Sequence, residues 1–501
     1  MKHYLVLAGM VLCMAQGYAQ NHKQGSSQSA FDKFLKAAAK DFDDFERQNE
    51  ADFEEFRKKI MDEYAEFVRN PWKAFEETKP VPMPKEEPVP PVVKPKDDDK
   101  PIEDKPVIID EVIKPAPVEP QPTPVAPIEE VPVVEDKTVS FTFFGTLGKV
   151  RFDIDKRIRM KGCEADDVAN ALSLIETTDY DNMLLDCLSL RKNLKLSDWA
   201  YLQMLKALTD QVCGKGTNES ALMLAYLYMQ SGYKMRLATA DGKLYVLYAS
   251  KHQIYNQVSY GVDGDVFYGV EELPSRLSIC MAAFPKEKSL SLLINENPQF
   301  AQNDSKARTI VSKRYDDVKI EVSVNKNLID FYNTYPTSML DDNFMTRWGM
   351  YANTPLNEKV KGHIYPSLKA CINGLSQLDA ANKLLNLIQT GLVYGYDSEV
   401  WGRDRAFFAE ESLYYPYCDC EDRAILYTRL MRDLMGLDCI LVYYPNHLAA
   451  AVAFTEDVKG DYIMLNGRKF VVADPTYIGA PVGKTMPNMD NKTAKAILLN
   501  R

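Results

Sequence analysis

The sequence predicts an α+β protein made of two similar helix-then-strand segments, and three observations carry that prediction. A helical pattern (Ala424, Ile425, Leu426, Leu430, Met431, Leu434) opens at Cys420 and stops at Gly436. Apolar runs of strand length follow at 439–444, 447–454 and 470–473, with turn signals at Pro445-Asn446 and Asn466-Gly467. The same order occurs earlier in the chain. A helix is expected from Asn218 to Gly232, then strands at 234–238 and 244–249 joined by an Asp241-Gly242 turn. The helices just upstream also correspond, 199–212 with 378–392.

Taken in order, residues 1–19 have the pattern of a secretory signal peptide. Met1-Lys2-His3 supplies a positive start, Tyr4 to Leu12 a short apolar core, and Gly17-Tyr18-Ala19 a small-residue cleavage site. The chain is therefore expected to be secreted or periplasmic. A lipoprotein anchored through Cys13 is disfavoured because Leu12 is large where a small residue is expected. No other apolar run reaches membrane-spanning length.

Residues 20–78 are expected to hold a charged amphipathic helix. Leu35, Ala38, Phe42, Phe45, Phe53, Phe56, Ile60, Tyr64 and Phe67 recur at steps of mostly three and four, with charged residues between them. The helix over 31–77 either packs on its own chain or serves as a coiled-coil-like surface for a partner or self-association. Residues 79–136 are rich in Pro, Val, Glu and Lys, which predicts an extended, disordered spacer. The two α+β segments fill the rest, 137–320 and 321–501.

The chemistry concentrates in the second segment. Cys420 opens a helix, Asp419 is a fitting N-cap, His447 starts one strand, and Asp474 follows another. A thiol at a helix N-terminus feels the positive end of the macrodipole, which predicts a lowered pKa. Cysteine as nucleophile, histidine as base and aspartate as orienter are the three roles of a thiol acyl-transfer site. In the first segment the places of Cys420 and His447 fall near 216–218 and Lys243, and neither holds a cysteine or histidine. That segment is expected to be a degenerate copy. Cys213 and His252 lie off those places and are expected to be structural.

This pattern resembles the transglutaminase-like superfamily, on the papain-like cysteine peptidase fold. The resemblance rests on Asp419-Cys420, His447 and Asp474-Pro475, with lead-in residues 394–397 and 411–413, and covers roughly residues 380–480. Where the family has a glycine before the Asp-Cys pair, this chain has Cys418. The resemblance implies an exported cysteine-dependent enzyme that hydrolyses a peptide or amide bond through a thioester on Cys420. Its oxyanion would be held by the Cys420 N–H and a second donor, for which Tyr415 and Tyr417 are candidates. An amine-transferring cross-linker is a variant of the same chemistry. The alternative is a non-catalytic peptide- or glycan-binding envelope scaffold with Cys420 locked in a disulfide.

Composition limits the partners. A net charge of −11 without a basic patch disfavours nucleic acid. The expected partner is a peptide or protein substrate. No cofactor is expected, and zinc is disfavoured because Cys418-x-Cys420 lacks a second ligand pair. Eight cysteines remain beyond Cys13, an even number that permits disulfides in an oxidising compartment.

Overall fold

The architecture is mixed α+β, organised around two sheets with helices packed against them. The computed structural model describes residues 68–69, 72–86, 88–96, 101–117, 119–124, 128, 130, 137–176, 180–283 and 287–500, all within one compact unit, Glu63–Arg501. The expected signal peptide and nearly all of the amphipathic helix lie outside the described residues.

The upstream residues depart from expectation. Trp72–Glu76 is a strand (β1), not the end of a helix. Pro71 explains the break, because it disfavours helix for the residue before it and lacks an N–H. The proline-rich stretch is not a free spacer over its described length. It contributes Val92–Val93 (β2), Lys105–Pro106 (β3) and Ile109–Ile113 (β4). β3 and β4 close the two edges of the second sheet, a position where a strand tolerates a missing proline donor.

The first α+β segment contains helices Asp198–Cys213 (α1) and Asn218–Gln230 (α2). Strands Met235–Ala240 (β5), Lys243–Ala249 (β6), Ser259–Val262 (β7), Asp265–Gly269 (β8) and Arg276–Cys280 (β9) follow. The second contains Gln377–Gly391 (α3) and Cys420–Met435 (α4). Its strands are Cys439–Tyr444 (β10), His447–Val452 (β11), Asp461–Leu465 (β12), Arg468–Ala473 (β13), Tyr477–Ile478 (β14) and Ala494–Leu498 (β15).

The two sheets have matching strand orders. The first runs β1-β9-β5-β6-β8-β7, and the second, from the β4 edge, runs β4-β15-β10-β11-β13-β12 before ending on β3. The hairpins match as well. Asp241-Gly242 and Asp263-Gly264 turn the first sheet, and Asn466-Gly467 turns the second, each pair with positive φ at both residues. That is the backbone of a type I′ turn, which follows strand twist and suits Asn, Asp and Gly. One difference is the outer edge, where β1 is antiparallel to β9 but β4 is parallel to β15.

Burial explains the runs of apolar residues. All six residues of β11 are buried, so both faces of the sheet centre are covered. Ile440, Val442, Ala449, Ala451, Phe470, Val472 and Ala496 form one cluster there, and α4 packs against β10 and β11. The equivalent cluster in the first sheet includes Ala238, Leu247, Ala249, Tyr260, Phe267 and Ile279.

Candidate active site

α4 is built to present Cys420. Asp419 caps it, accepting from the Glu421 N–H at 3.2 Å, and the Asp422 carboxylate accepts from the Asp419 N–H at 3.2 Å. This reciprocal capping box fixes where the helix starts, and Gly436 in the left-handed region ends it. Cys420 is thus the first helical residue.

His447 is the first residue of β11, and Asp474 follows β13 directly. β11 pairs with β13, which brings the two together: His447 Nε2 lies 2.8 Å from Asp474 Oδ2. Asp474 is itself fixed. Its other oxygen accepts from the Thr476 N–H at 2.8 Å and the Tyr477 N–H at 3.3 Å. With the proton on Nε2 facing the carboxylate, the lone pair falls on Nδ1, which is buried and has no hydrogen-bond partner. The Leu448 backbone, one residue after His447, lies near enough to Cys420 to act against the burial that raises its thiol pKa. The thiol therefore meets the start of the strand that carries the base.

Two side chains that the sequence did not single out hold this arrangement. Gln389 of α3 donates from Nε2 toward the carbonyls of Asp474 (3.1 Å), Tyr477 (2.8 Å) and Ala480 (3.0 Å), and its Oε1 accepts from Gly479 N. Arg423, one turn into α4, donates to the carbonyls of Gln389, Leu392 and Pro475. A lone glutamine among Leu384, Leu385, Leu387 and Ile388 was the available signal, since a polar group on a buried face must find partners.

The expected lowering of the thiol pKa is not what the site produces. Burial pushes Cys420 well above the ordinary thiol range, with the Asp419 and Glu421 carboxyls acting in the same direction and the Leu448 N–H against them. Desolvation of an anion outweighs the helix dipole when Cys420 is 2% exposed. Cys418, Cys420 and Cys439 are all unbridged, as are the other five cysteines among the described residues.

Tyr394 is the aromatic neighbour of the nucleophile. After burial, the charge of Cys420 is the strongest influence raising its hydroxyl pKa. The Arg423 guanidinium lies 5.2 Å from its ring centre. Tyr415 is engaged elsewhere, donating to Asn333 at 2.9 Å, and Tyr417 is half exposed. The Tyr394 hydroxyl faces the Val89 carbonyl at 3.5 Å.

Beside Cys420 lies a group of buried carboxyls. One oxygen each of Asp397, Asp404 and Glu421 lies within 4.8 Å of the others, a set that could hold a hard cation. Arg347 supplies positive charge there now, with Nη2 2.8 Å from Asp404 and 3.7 Å from Glu421. Burial, then the Glu421 charge, push Asp397 up to about 8. Asp419, Glu421 and Asp422 are also held well above the usual carboxylate range by burial.

Comparison with family models, curated proteins and solved structures finds no match.

The first segment carries different chemistry at the matching places. Asn218 is the first residue of α2, and Lys243 the first of β6. Asn218 Oδ1 accepts from the Leu244 N–H at 2.9 Å, which ties the start of α2 to the start of β6. Lys243 Nζ lies 2.9 Å from Glu271, which also pairs with Lys206 at 3.2 Å. Val270, directly after β8, stands where Asp474 stands after β13. This set has neither a thiol nor an imidazole. Cys213 lies 3.6 Å from the Met223 sulfur, and His252 accepts from the Leu292 N–H at 3.2 Å, both internal contacts. Among the described residues no helix is long and apolar enough to cross a membrane.

Proposed function

We propose that the chain is an exported, cysteine-dependent acyl-transfer enzyme of transglutaminase-like, papain-like design that hydrolyses a peptide or amide bond. The observation that carries this reading is the buried His447–Asp474 pair at 2.8 Å, with His447 Nδ1 unpartnered and Cys420 buried at the start of the helix that packs on the strand His447 opens. A buried imidazole with one nitrogen fixed by a carboxylate and the other left free is arranged to take a proton. The matching strand orders support reading the first segment as a non-catalytic copy of the second.

In this reading the Cys420 thiol gives its proton to His447 Nδ1 as the sulfur attacks the substrate carbonyl carbon. The oxyanion is held by the Cys420 N–H at the helix start. Collapse breaks the C–N bond, and the leaving amine takes the proton from His447. Water then attacks the thioester, giving one proton to His447 and releasing the acid, and the proton returns to the sulfur. A water-resolved thioester makes the enzyme a hydrolase.

The test is alkylation of the full chain with iodoacetamide, with the label located by mass spectrometry. Cys420 is expected to react at least about tenfold more slowly in His447→Ala at neutral pH, as loss of a general base predicts. Equal rates in the two chains would remove the base role and the acyl-transfer reading with it.

A further inference from the structure

We propose that residues 81–94 lie in the substrate groove of the Cys420 site as a peptide would. The site then takes an extended, proline-bearing peptide held by its backbone, and the chain's own segment keeps it closed. This rests on the acyl-transfer reading above, and it assigns both the ligand class and the regulation of that site.

The described part of the segment from Glu86 onward meets residues near the Cys420 site. The Val89 N–H donates to the carbonyl of Asn446, the residue before His447, at 3.0 Å. The Val89 carbonyl faces the Tyr394 hydroxyl at 3.5 Å. β2 pairs in parallel with β14, three residues past Asp474, and the Lys94 N–H donates to Ile478 O at 2.9 Å. The Glu86 carboxylate accepts from the Tyr443 hydroxyl at 2.9 Å and feels the charge of Arg347. Val89 and Val92 pack against the small cluster of Tyr477, Ala480 and Met486. At its start, Val81 O accepts from the Asn256 N–H of the first segment at 2.9 Å.

This is strand addition, in which main-chain hydrogen bonds supply affinity and side-chain pockets supply selectivity. Cys420 and His447 are only 2% and 1% exposed, so a substrate carbonyl reaches them only after neighbouring chain moves, and the segment is docked on Asn446 and Tyr394 beside them. The proline pattern explains how the segment can sit there uncut. Val89 is followed by Pro90, so the carbonyl at Tyr394 belongs to a tertiary amide whose leaving nitrogen is locked in a ring. Pro82, Pro84, Pro88, Pro90 and Pro91 also keep the segment extended before it docks, which lowers the ordering cost.

The experiment compares Cys420 alkylation by iodoacetamide in the full chain, in Val89→Asp/Val92→Asp, and in the milder Val89→Pro, which removes the N–H bonded to Asn446 and keeps an apolar side chain in altered shape. Circular dichroism and unfolding midpoints report that each chain is folded. The expected result is labelling faster by at least about tenfold in the double variant and by a smaller factor in Val89→Pro, as loss of two partly buried valines and of one hydrogen bond predicts. A synthetic peptide with the sequence of residues 81–94 should slow the labelling of the double variant again. Unchanged labelling in both variants, or no effect of the peptide on a folded double variant, would overturn the proposal. Adding His447→Ala to the double variant separates it from the reading it rests on. Faster labelling that is indifferent to His447 would keep the strap and remove the catalytic base.

Discussion

Replacing Gln389 with leucine should loosen the loop that holds Asp474 while leaving the packing of α3 nearly intact. Gln389 is 2% exposed and serves three carbonyls and one N–H, all on residues 474–480. Its two N–H protons are shared among the three carbonyls, so the amide makes about three effective bonds at roughly 1 kcal/mol each. Leucine has a similar volume, so no large cavity offsets or adds to this. The buried carbonyls of Tyr477 and Ala480 would lose their Gln389 partner. The expected loss is about 3 kcal/mol, provided the loop cannot rearrange to reach water. Guanidinium unfolding of the full chain would measure it, and hydrogen exchange at Thr476 and Tyr477 would localise it. Because these two amides bond to Asp474, they should exchange at least about a hundredfold faster. A stability loss under about 1 kcal/mol with unchanged exchange there would refute the idea that Gln389 positions the acid of the triad.

Three further outcomes follow from the geometry. Asp397 is an acid whose folded pKa is raised to about 8, so its contribution is fully present below the unfolded carboxylate pKa and is lost as pH rises through about 8. Asp397→Asn should therefore gain stability relative to the parent between pH 5 and 8.5, and thermal melts at both values check the sign; a parallel offset at both would count against it. Arg347→Met should cost roughly 3–5 kcal/mol, because Asp404 and Glu421 would lose their buried cation, and equilibrium unfolding would show it. Lys243→Met should leave Cys420 alkylation unchanged and cost under about 1 kcal/mol, since Lys243 and Glu271 are both partly exposed. A slowed Cys420 would instead tie the first segment to the chemistry.

The hairpins and the helix carrying Cys420 were legible because their signals are local. Asp241-Gly242 and Asn466-Gly467 need positive φ, and Asp419 with Asp422 makes a capping box within four residues. The Cys420, His447 and Asp474 order was legible because each sits at an element end that the pattern marks. What stayed hidden depends on distant pairing. Lys105–Pro106 is strand only because Asp461 and Tyr462 lie beside it, and its composition alone points to a spacer. The sign of the Cys420 shift was hidden for a related reason. A helix start argues for a low pKa, and only the tertiary burial of the sulfur reverses it. The acids flanking Cys420 were visible in the sequence, but Asp397, Asp404 and Arg347 join them through the fold.

The edge pairing of β4 with β15 has a consequence for how the chain matures. Ile113 aligns with Ile497, so the second sheet cannot be completed until a strand far downstream of its edge has been made. Loop-closure entropy and contact order both make such a pairing late and slow. Until β15 is made, the β10 edge of that sheet stays unpaired and β4 has no strand to dock on. The same delay predicts that truncation of the last strand, which leaves every triad residue in place, would give a protein prone to edge-to-edge association.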